Sequence, residues 1–417
     1  LFIYADFNWL KEPELIGTLG YERSRAKGIY NFEYDKTWLS QHGGIVLCEG
    51  LNATTGPQYC SEDKLFGCFS DAEPDRWGKC LIDRREQIDA RRENRLPKTL
   101  FSFDYLTTID DNTRIGGLRF KRKANRSFIN TGRELTVPPL SSVRELIDAA
   151  QRYEESEERN ELPEDKWVRQ LFHPGTSLGG ARPKANIIDK DSNLYIAKFP
   201  SQKDIYDIAK WEYFANQLSL KAGINAADAK LLTVPGVPHG YHVLLSKRFD
   251  REHDGKRIHF ASSMSMTGLQ DGDNADSGNG YLDIADFIIE GCTHTKANLE
   301  ELYRRIAFNI CIGNSDDHFR NHGFILTEEG WTLSPAYDMN PTNDEHQSIL
   351  ISKNSSDADL QQLLDASEDY MIPKKRCKEI IWQVKDAVKG WRAIAKQVRL
   401  TQSEITRFQF RLDEKCK

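Results

Sequence analysis

The pattern of apolar and polar residues predicts a small β-rich region in the middle of the chain. Alternating residues within 185–199 predict two short strands around a polar turn. Residues 204–222 then carry apolar positions three and four apart, which predicts a helix that Gly223 can end. Further strands are predicted at 229–234 and 241–247. This region is therefore expected to run strand, strand, helix, strand, strand.

Helical spacing dominates the sequence after residue 250. Helices are predicted at 281–291, 298–312, 357–367, 374–399 and from Thr401 onward. Thr401 and Glu404 have the spacing of a capping box. Two features interrupt the helices: a polar loop at 268–280 and a hairpin at 323–333.

Glycine and aromatic residues recur at short intervals in the first 140 residues, which distinguishes this part of the sequence from the rest. This pattern predicts a strand-rich unit with one helix at 75–92. We therefore predict an α+β protein in three parts, with a strand-rich unit at 1–140, a small β-rich lobe at 141–247 and a helical lobe at 248–417.

Composition and charge exclude several classes of protein. The 417 residues carry a net charge of -6, which argues against a strongly basic DNA-binding surface over the whole chain. No apolar run approaches the ~20 residues that span a bilayer, so no membrane partner is expected. The eight cysteines form no C-x-x-C pair, which argues against a zinc site. Free thiols in a reducing cytoplasm are the expectation.

The most informative segment is Gly-Asn-Ser-Asp-Asp-His-Phe-Arg-Asn at 313–321. It follows a predicted helix, precedes the hairpin and is followed by Asp338. Protein kinases use this order of helix, Asp-x-x-x-x-Asn loop, two-stranded ribbon and Asp for phosphoryl transfer. A solvated Asp/Asn turn at the end of a helix would show the same spacing without any catalytic role.

The residue types in this order fit the chemistry of phosphoryl transfer. The carboxylate of Asp316 can accept the proton of an attacking hydroxyl group. Mg²⁺ prefers oxygen ligands, and Asn321 and Asp338 can supply an amide oxygen and a carboxylate.

A kinase also needs a cation for the phosphates that are not transferred. Lys198 lies on the strand face of Leu194 and Ile196, and the following helix offers Glu212 as its partner. Alternatively, Lys198 extends to solvent from a strand end and Glu212 is solvated. The loop Thr-Ser-Leu-Gly-Gly-Ala-Arg-Pro-Lys at 176–184 is not a Walker A motif. Its adjacent glycines can present backbone amides to phosphate, or can form an ordinary turn.

Taken together, these motifs resemble the HipA family of bacterial serine/threonine kinases, the toxins of HipA–HipB toxin–antitoxin pairs. The matching stretches include Ser-Leu-Gly-Gly-Ala-Arg-Pro-Lys-Ala at 177–185, Tyr-Ile-Ala-Lys-Phe at 195–199, Ser-Lys-Arg-Phe-Asp-Arg at 246–251 and Leu-Ser-Pro-Ala-Tyr-Asp-Met-Asn-Pro at 333–341. The segment at 313–324 and stretches of the N-terminal unit match as well. The resemblance implies a two-lobe, protein-kinase-like fold preceded by a HipA-type N-terminal subdomain.

The resemblance also implies roles for individual residues. Asp316 is the catalytic base, Asn321 and Asp338 are the Mg²⁺ ligands, and Ser177 is autophosphorylated to inactivate the kinase. The remaining candidates would contact ATP. Lys198, Gly179 and Gly180 would bind phosphate, and Ser177 lies in the same loop as the two glycines. Lys247, Arg248 and Phe249 would form the hinge that binds adenine, with Asp250 just beyond it, and His318 or Arg320 would face the γ-phosphate.

The partners implied by the resemblance are a HipB-like helix-turn-helix antitoxin, operator DNA reached through that antitoxin, and a protein substrate such as an aminoacyl-tRNA synthetase. Two alternatives remain. One is a catalytically silent, kinase-like corepressor. The other is a metal-dependent hydrolase that uses Asp316, Asp317, His318 and Asp338. ATP binding with and without Mg²⁺ separates the three.

Overall fold

The computed structural model describes residues 1–24, 27–60, 64–131, 137–175, 182–342 and 345–414. The chain divides into two compact units. Unit 1 comprises Leu1–Asp204 and Leu232–Ala261, and unit 2 comprises Ile205–Leu231 and Ser262–Lys417. The sequence-based boundaries at residues 140 and 247 divide the chain differently and stay a prediction.

Unit 1 begins with a five-stranded sheet in the order β4-β3-β2-β1-β5. Its strands are β1 (Phe2–Ala5), β2 (Glu14–Ser24), β3 (Lys27–Tyr34), β4 (Gln58–Tyr59) and β5 (Leu118–Lys121). Its helices are α1 (Lys36–His42), α2 (Gly67–Ser70), α3 (Arg76–Arg92) and α4 (Ser102–Thr108). The side chain of Asp75 accepts a hydrogen bond from the backbone N–H of Arg76 at the start of α3, as expected for the helix predicted at 75–92.

The second half of unit 1 packs helices against an antiparallel sheet. It contains α5 (Val143–Glu158), α6 (Asp165–Gly175), β6 (Lys184–Ile188), β7 (Leu194–Lys198) and, after the excursion into unit 2, β9 (Val243–Lys247). Buried residues of α3, α5, α6 and these strands form one apolar core. The sequence analysis missed α6, because its short amphipathic stripe of Val168, Leu171 and Phe172 gains its meaning only from packing on α3 and α5.

Unit 2 is mainly helical, as predicted. It contains α7 (Ile208–Lys221), α8 (Ser263–Met266), α9 (Tyr281–Gly291), α10 (Thr295–Ile312), α11 (Leu360–Asp365), α12 (Lys374–Lys389), α13 (Trp391–Val398) and α14 (Gln402–Glu414). Strands β8 (Ala229–Leu232) and β10 (His259–Ser262) lie where the chain passes between units. The predicted hairpin is present as β11 (Gly323–Thr327) and β12 (Gly330–Leu333).

Several predicted helices of unit 2 have other bounds in the structure, where those predicted at 298–312 and 357–367 span Thr295–Ile312 and Leu360–Asp365. The helix predicted from residue 204 starts at Ile208, because the Asp207 side chain accepts the backbone N–H of Lys210 and caps the helix there. The helix predicted at 374–399 is divided at Gly390, where α12 ends and α13 begins. The capping box predicted for Thr401 and Glu404 is confirmed by reciprocal hydrogen bonds of 2.7 and 3.3 Å. Among the described residues, each helix is too short or too polar to cross a bilayer.

Candidate active site

The segment 313–321 leaves α10 through a left-handed residue and is held by backbone hydrogen bonds. Gly313 has a φ of 71° and ends the helix, and its carbonyl accepts the N–H of Thr342 at 2.7 Å. The carbonyl of Ser315 accepts both the N–H and the Oγ of Ser348, at 3.0 and 2.6 Å. Ser315, the residue before Asp316, is therefore held in place by Ser348.

The two adjacent aspartates of this loop have opposite environments. Asp316 is exposed, whereas Asp317 is buried. The Oδ2 atom of Asp317 accepts hydrogen bonds from Tyr281 Oη at 2.6 Å, Asn309 Nδ2 at 2.7 Å and His322 Nε2 at 2.8 Å. Asp317 thus anchors the loop inside the unit, while the side chain of its neighbour Asp316 faces solvent.

The contacts of Asp317 keep it ionised despite its burial. Burial alone would raise the pKa of Asp317, but the charge and hydrogen bond of His322 and the hydrogen bond of Tyr281 outweigh it and lower that pKa. Burial, together with the charge of Asp317, raises the pKa of Tyr281 well above its ordinary value. The tyrosine therefore stays a donor to the carboxylate.

Two hydrogen bonds link the segments that carry Asp316, Asn321 and Asp338. Asn321 Nδ2 donates to the backbone carbonyl of Asp316 at 3.0 Å. Tyr337 Oη donates to the carbonyl of Arg320 at 2.7 Å, which links the residue before Asp338 to the residue before Asn321. The sequence analysis expected these residues to cooperate, and unit 2 brings the segments that carry them together.

The donor set fits a hard divalent cation. Because the Nδ2 atom of Asn321 donates to Asp316, the amide oxygen of Asn321 is the side-chain atom that can accept a cation. Asp338 has a φ of 57°, a conformation that is uncommon outside glycine and that is enriched at functional sites. Asn340 Nδ2 donates to Asp338 Oδ1 at 2.9 Å and orients that carboxylate. A Mg²⁺ ion held by one or two protein oxygens takes its other ligands from phosphate and water.

Arg320, a candidate cation for the γ-phosphate, contacts the polar loop that the sequence analysis left unassigned. Its Nε atom lies 3.1 Å from Asp271 Oδ1, and Asp271 belongs to the loop at 268–280. The same loop is linked to the segment 313–321 through Ser348, because Ala275 N–H donates to the carbonyl of Ser348 at 2.9 Å. His318, the other candidate, is half-buried at the start of a 3₁₀ turn that spans Phe319–Asn321.

In unit 1, Lys198 lies at the end of β7, directly opposite Lys184 on β6. Directly paired residues of an antiparallel sheet project from the same face, and like charges there are unfavourable without an anion nearby. Lys198 is half-buried, on the face opposite to the core residues Tyr195 and Ala197. The sequence analysis missed this opposition of Lys184 and Lys198, because strand register is not visible in one sequence.

The residues predicted to form the adenine hinge, Lys247 to Phe249, lie at the end of β9 and directly after it, with Asp250 just beyond. Lys247 is the last residue of that strand and pairs with Tyr195. The N–H of Arg248 donates to the carbonyl of Leu194 at 2.9 Å, which extends the pairing by one residue. The side chains of Arg248 and Asp250 are buried in contacts within unit 1. Phe249 packs near Phe260, with 5.8 Å between ring centroids. The predicted sites Ser177, Gly179 and Gly180 lie outside the described residues.

Comparison with models of protein families shows which family this chain belongs to. A family model described as the HipA-like C-terminal domain matches residues 176–391, which is more than half of the chain. The HipA N-terminal domain model matches residues 9–100. This chain belongs to the HipA family. The HipA relationship predicted from the motifs is thus confirmed, including its N-terminal part.

Curated HipA relatives and one solved structure agree with this assignment. A serine/threonine-protein kinase toxin HipA from Shewanella oneidensis is 23% identical over 202 residues, which cover 42% of this chain and 45% of that protein. A Haemophilus influenzae protein with a provisional kinase name is 27% identical over 199 residues, 42% of this chain and 58% of its own. These matches span about half of the relatives' length.

The structural match covers nearly the whole chain. The HipA protein from a HipA, HipB and operator DNA complex of Shewanella oneidensis superposes with a TM-score of 0.63 at 16% identity, covering 96% of this chain and 94% of that one. The predicted α+β, kinase-like fold is confirmed by this match.

Proposed function

We propose that this HipA-family chain is a serine/threonine protein kinase that uses ATP and Mg²⁺. The observation that carries the proposal is the pair of hydrogen bonds from Asn321 to Asp316 and from Tyr337 to Arg320. These bonds link the chain segments that carry the carboxylate of Asp316, the amide of Asn321 and the carboxylate of Asp338. That arrangement is suited to phosphoryl transfer.

In the proposed reaction, a serine hydroxyl oxygen of the substrate attacks the γ-phosphorus of ATP. The bond between this phosphorus and the β,γ-bridging oxygen breaks, and ADP leaves with the electron pair. The carboxylate of Asp316 accepts the hydroxyl proton. Its exposure suits this role, since the base must reach an acceptor hydroxyl group on another protein or on Ser177.

Other residues of the chain bind and orient the nucleotide in this proposal. When bound, Mg²⁺ neutralises the charge on the phosphates. Asn321 and Asp338 would hold the ion, and Lys198 with Lys184 would bind phosphate oxygens from β7 and β6. The contact of Arg320 with Asp271 is exposed, and exchange of this partner for a phosphate costs little because exposed ion pairs are weak.

The environment of Asp317 favours the kinase over the hydrolase alternative. A hydrolase built on Asp316, Asp317, His318 and Asp338 needs Asp317 as a ligand. The Asp317 carboxylate instead accepts three hydrogen bonds inside unit 2.

The wider role follows from the family. We propose that the chain is the toxin of a toxin–antitoxin pair and that it binds a HipB-like helix-turn-helix antitoxin and, through it, operator DNA. A translation component such as an aminoacyl-tRNA synthetase is the proposed substrate. The solved HipA relative was captured with HipB and its operator DNA.

Replacing Lys198 by methionine is expected to weaken ATP binding at least about tenfold, the equivalent of one charge-assisted hydrogen bond. The fold should persist, because a half-buried charge is exchanged for an apolar chain of similar length. Calorimetric titration with ATP and a thermal melt check both parts. Lys203→Met, an exposed lysine paired with Glu158, is the matched control and should bind ATP normally. If Lys198→Met does not fold, Lys198 instead belongs to an ion pair that stabilises the fold.

Autophosphorylation on Ser177 is the proposed route of self-inactivation. A phosphoryl group adds about -1.5 to -2 charge at pH 7 and would repel the phosphates of ATP. Incubation with ATP and Mg²⁺ should raise the intact mass by one phosphate, and the phosphorylated protein should bind ATP poorly. Ser177→Ala should stay unmodified, whereas Thr176→Ala should be modified normally. Phosphate found on Thr176 alone would contradict the assignment of Ser177 while leaving the kinase proposal in place.

A further inference from the structure

The segment that follows β9 contains a buried cluster of charged side chains. Arg248 and Asp250 are each 4% exposed. Arg248 forms a two-pronged ion pair with Asp250, with Nε to Oδ1 at 2.8 Å and Nη2 to Oδ2 at 2.5 Å. Arg251 adds a third contact, from Nη1 to Asp250 Oδ2 at 2.8 Å. One carboxylate just beyond the predicted hinge therefore holds two guanidinium groups, one from the hinge residue Arg248 and one from Arg251.

The remaining donors of this cluster reach a loop of the N-terminal sheet region that is more than 130 residues away in sequence. Arg248 Nη1 donates to the carbonyl of Thr113 at 2.7 Å. The carbonyl of Arg114 accepts from Arg248 Nη2 at 3.1 Å and from Arg251 Nη2 at 2.6 Å. In return, the N–H of Gly116 donates to Asp250 Oδ2 at 2.8 Å. We call the Arg248–Asp250–Arg251 cluster, with the loop 113–116, the hinge clamp.

The hinge clamp also reaches the sheet that carries Lys198. Arg248 Nη1 donates to Asn186 Oδ1 on β6 at 2.9 Å. Burial alone would raise the pKa of Asp250, but the charges of Arg248 and Arg251 outweigh it and hold that pKa far below its ordinary value. The aspartate therefore stays charged, and the clamp is a permanent feature near neutral pH.

The loop side of the hinge clamp has little room to move. Gly116 has a φ of 72°, and a Cβ atom there would lie 3.1 Å from His259 Nδ1 and from the N of Phe260. A glycine is thus required at the position that donates to Asp250. The hinge clamp therefore joins the segment after β9 to a loop that is closely packed at Gly116.

We propose that the hinge clamp is a positioning element that fixes the backbone of residues 247–249 and thereby sets the preference for adenine over guanine. This inference rests on the proposed function. Adenine presents a donor at N6 and an acceptor at N1, whereas guanine presents an acceptor at O6 and a donor at N1. A backbone that cannot shift rejects the reversed pattern, because its own polar groups would be left unpaired.

The test is to titrate ATP and GTP into the full chain and compare the ratio of their Kd values. In Asp250→Asn, ATP should bind about tenfold more weakly, as for one lost hydrogen bond. GTP should change by less than about twofold, so the ratio Kd(GTP)/Kd(ATP) should fall about fivefold or more. A purely structural role would lower the folded fraction, which weakens both nucleotides equally and leaves the ratio unchanged.

Two further variants keep the test decisive. Arg251→Lys keeps the positive charge but loses the planar guanidinium group that can form two hydrogen bonds. If Asp250→Asn does not fold, this variant replaces it in the test and should lower the ratio Kd(GTP)/Kd(ATP) by a smaller factor than the one expected for Asp250→Asn. Glu157→Gln breaks the two-pronged pair with Arg84 (2.7 and 2.8 Å), which touches neither the hinge nor loop 113–116, and should leave the ratio unchanged. An unchanged ratio in folded Asp250→Asn or Arg251→Lys, or a wild-type ratio near one, would overturn the inference. A wild type that binds no ATP would contradict the proposed function itself.

Discussion

Replacing Asp316 by asparagine is expected to abolish phosphoryl transfer while ATP affinity stays near that of the wild type. The asparagine cannot accept the hydroxyl proton, and a lost general base costs about 10²–10⁴-fold in rate. Asp316 is exposed, and the contact to Asn321 uses its backbone carbonyl rather than its side chain. The metal-ligand geometry and the fold should therefore survive. Single-turnover transfer and calorimetric ATP titration of the same preparation measure both quantities.

A useful control for this variant is a substitution of Asn314, which lies on the same loop and is not proposed to contact a reacting atom. Asn314→Ala would disturb the buried contact with Asn309 Oδ1 at 3.2 Å without removing a carboxylate. It should lower transfer far less than Asp316→Asn. If Asp316→Asn transfers phosphate at the wild-type rate, Asp316 is not the base.

Replacing Asp317 by asparagine is expected to have the opposite outcome, a large loss of stability. The carboxylate of Asp317 is buried and accepts hydrogen bonds from Tyr281, Asn309 and His322. An asparagine places an amide N–H₂ against these donors and removes the charge that His322 contacts. Breaking a buried charged network typically costs about 3–5 kcal/mol. Urea unfolding should show this loss, whereas Asp316→Asn, the same substitution one residue earlier, should unfold like the wild type.

The stability difference between wild type and Asp317→Asn should depend on pH in a defined direction. The folded-state pKa of Asp317 is lowered, so its contribution is fully present above the unfolded pKa of about 3.9. That contribution is lost as pH falls below this value through the folded pKa. The difference should thus shrink as pH falls below about 4. A difference that grows on acidification would contradict the anchoring role of an ionised Asp317.

Local signals predicted much of the fold. The helix at 281–291 and the hairpin at 323–333 were predicted closely, because periodicity and turn residues specify them directly. The prediction at 374–399 ran through Gly390, since one glycine is tolerated within a helical pattern and only packing shows where the axis breaks. Helix α6 was not predicted, because its short apolar stripe is explained only by its packing on α3 and α5.

The order of the candidate site was predicted, but its surroundings were not. Spacing singled out Asp316, Asn321 and Asp338, yet it could not show that Asp317 is the buried anchor that turns Asp316 outward. Nor could it show that Arg248 and Asp250 are held by a loop more than 130 residues away. Such contacts depend on tertiary structure. A charged pair next to a strand end, as in Arg248–Asp250, is nevertheless a signal that could have suggested a buried ion pair.

The most direct test of the kinase proposal is to follow the γ-phosphate of radiolabelled ATP in one incubation of the wild-type chain with Mg²⁺. Separation of the products distinguishes label on the protein, label in inorganic phosphate and label left in ATP. The account predicts label on a serine of the protein, with an equal amount of ADP formed, and none in Asp316→Asn. Label found only in inorganic phosphate would indicate a hydrolase, and label left in bound ATP would indicate a silent corepressor. Either result would contradict the proposed function.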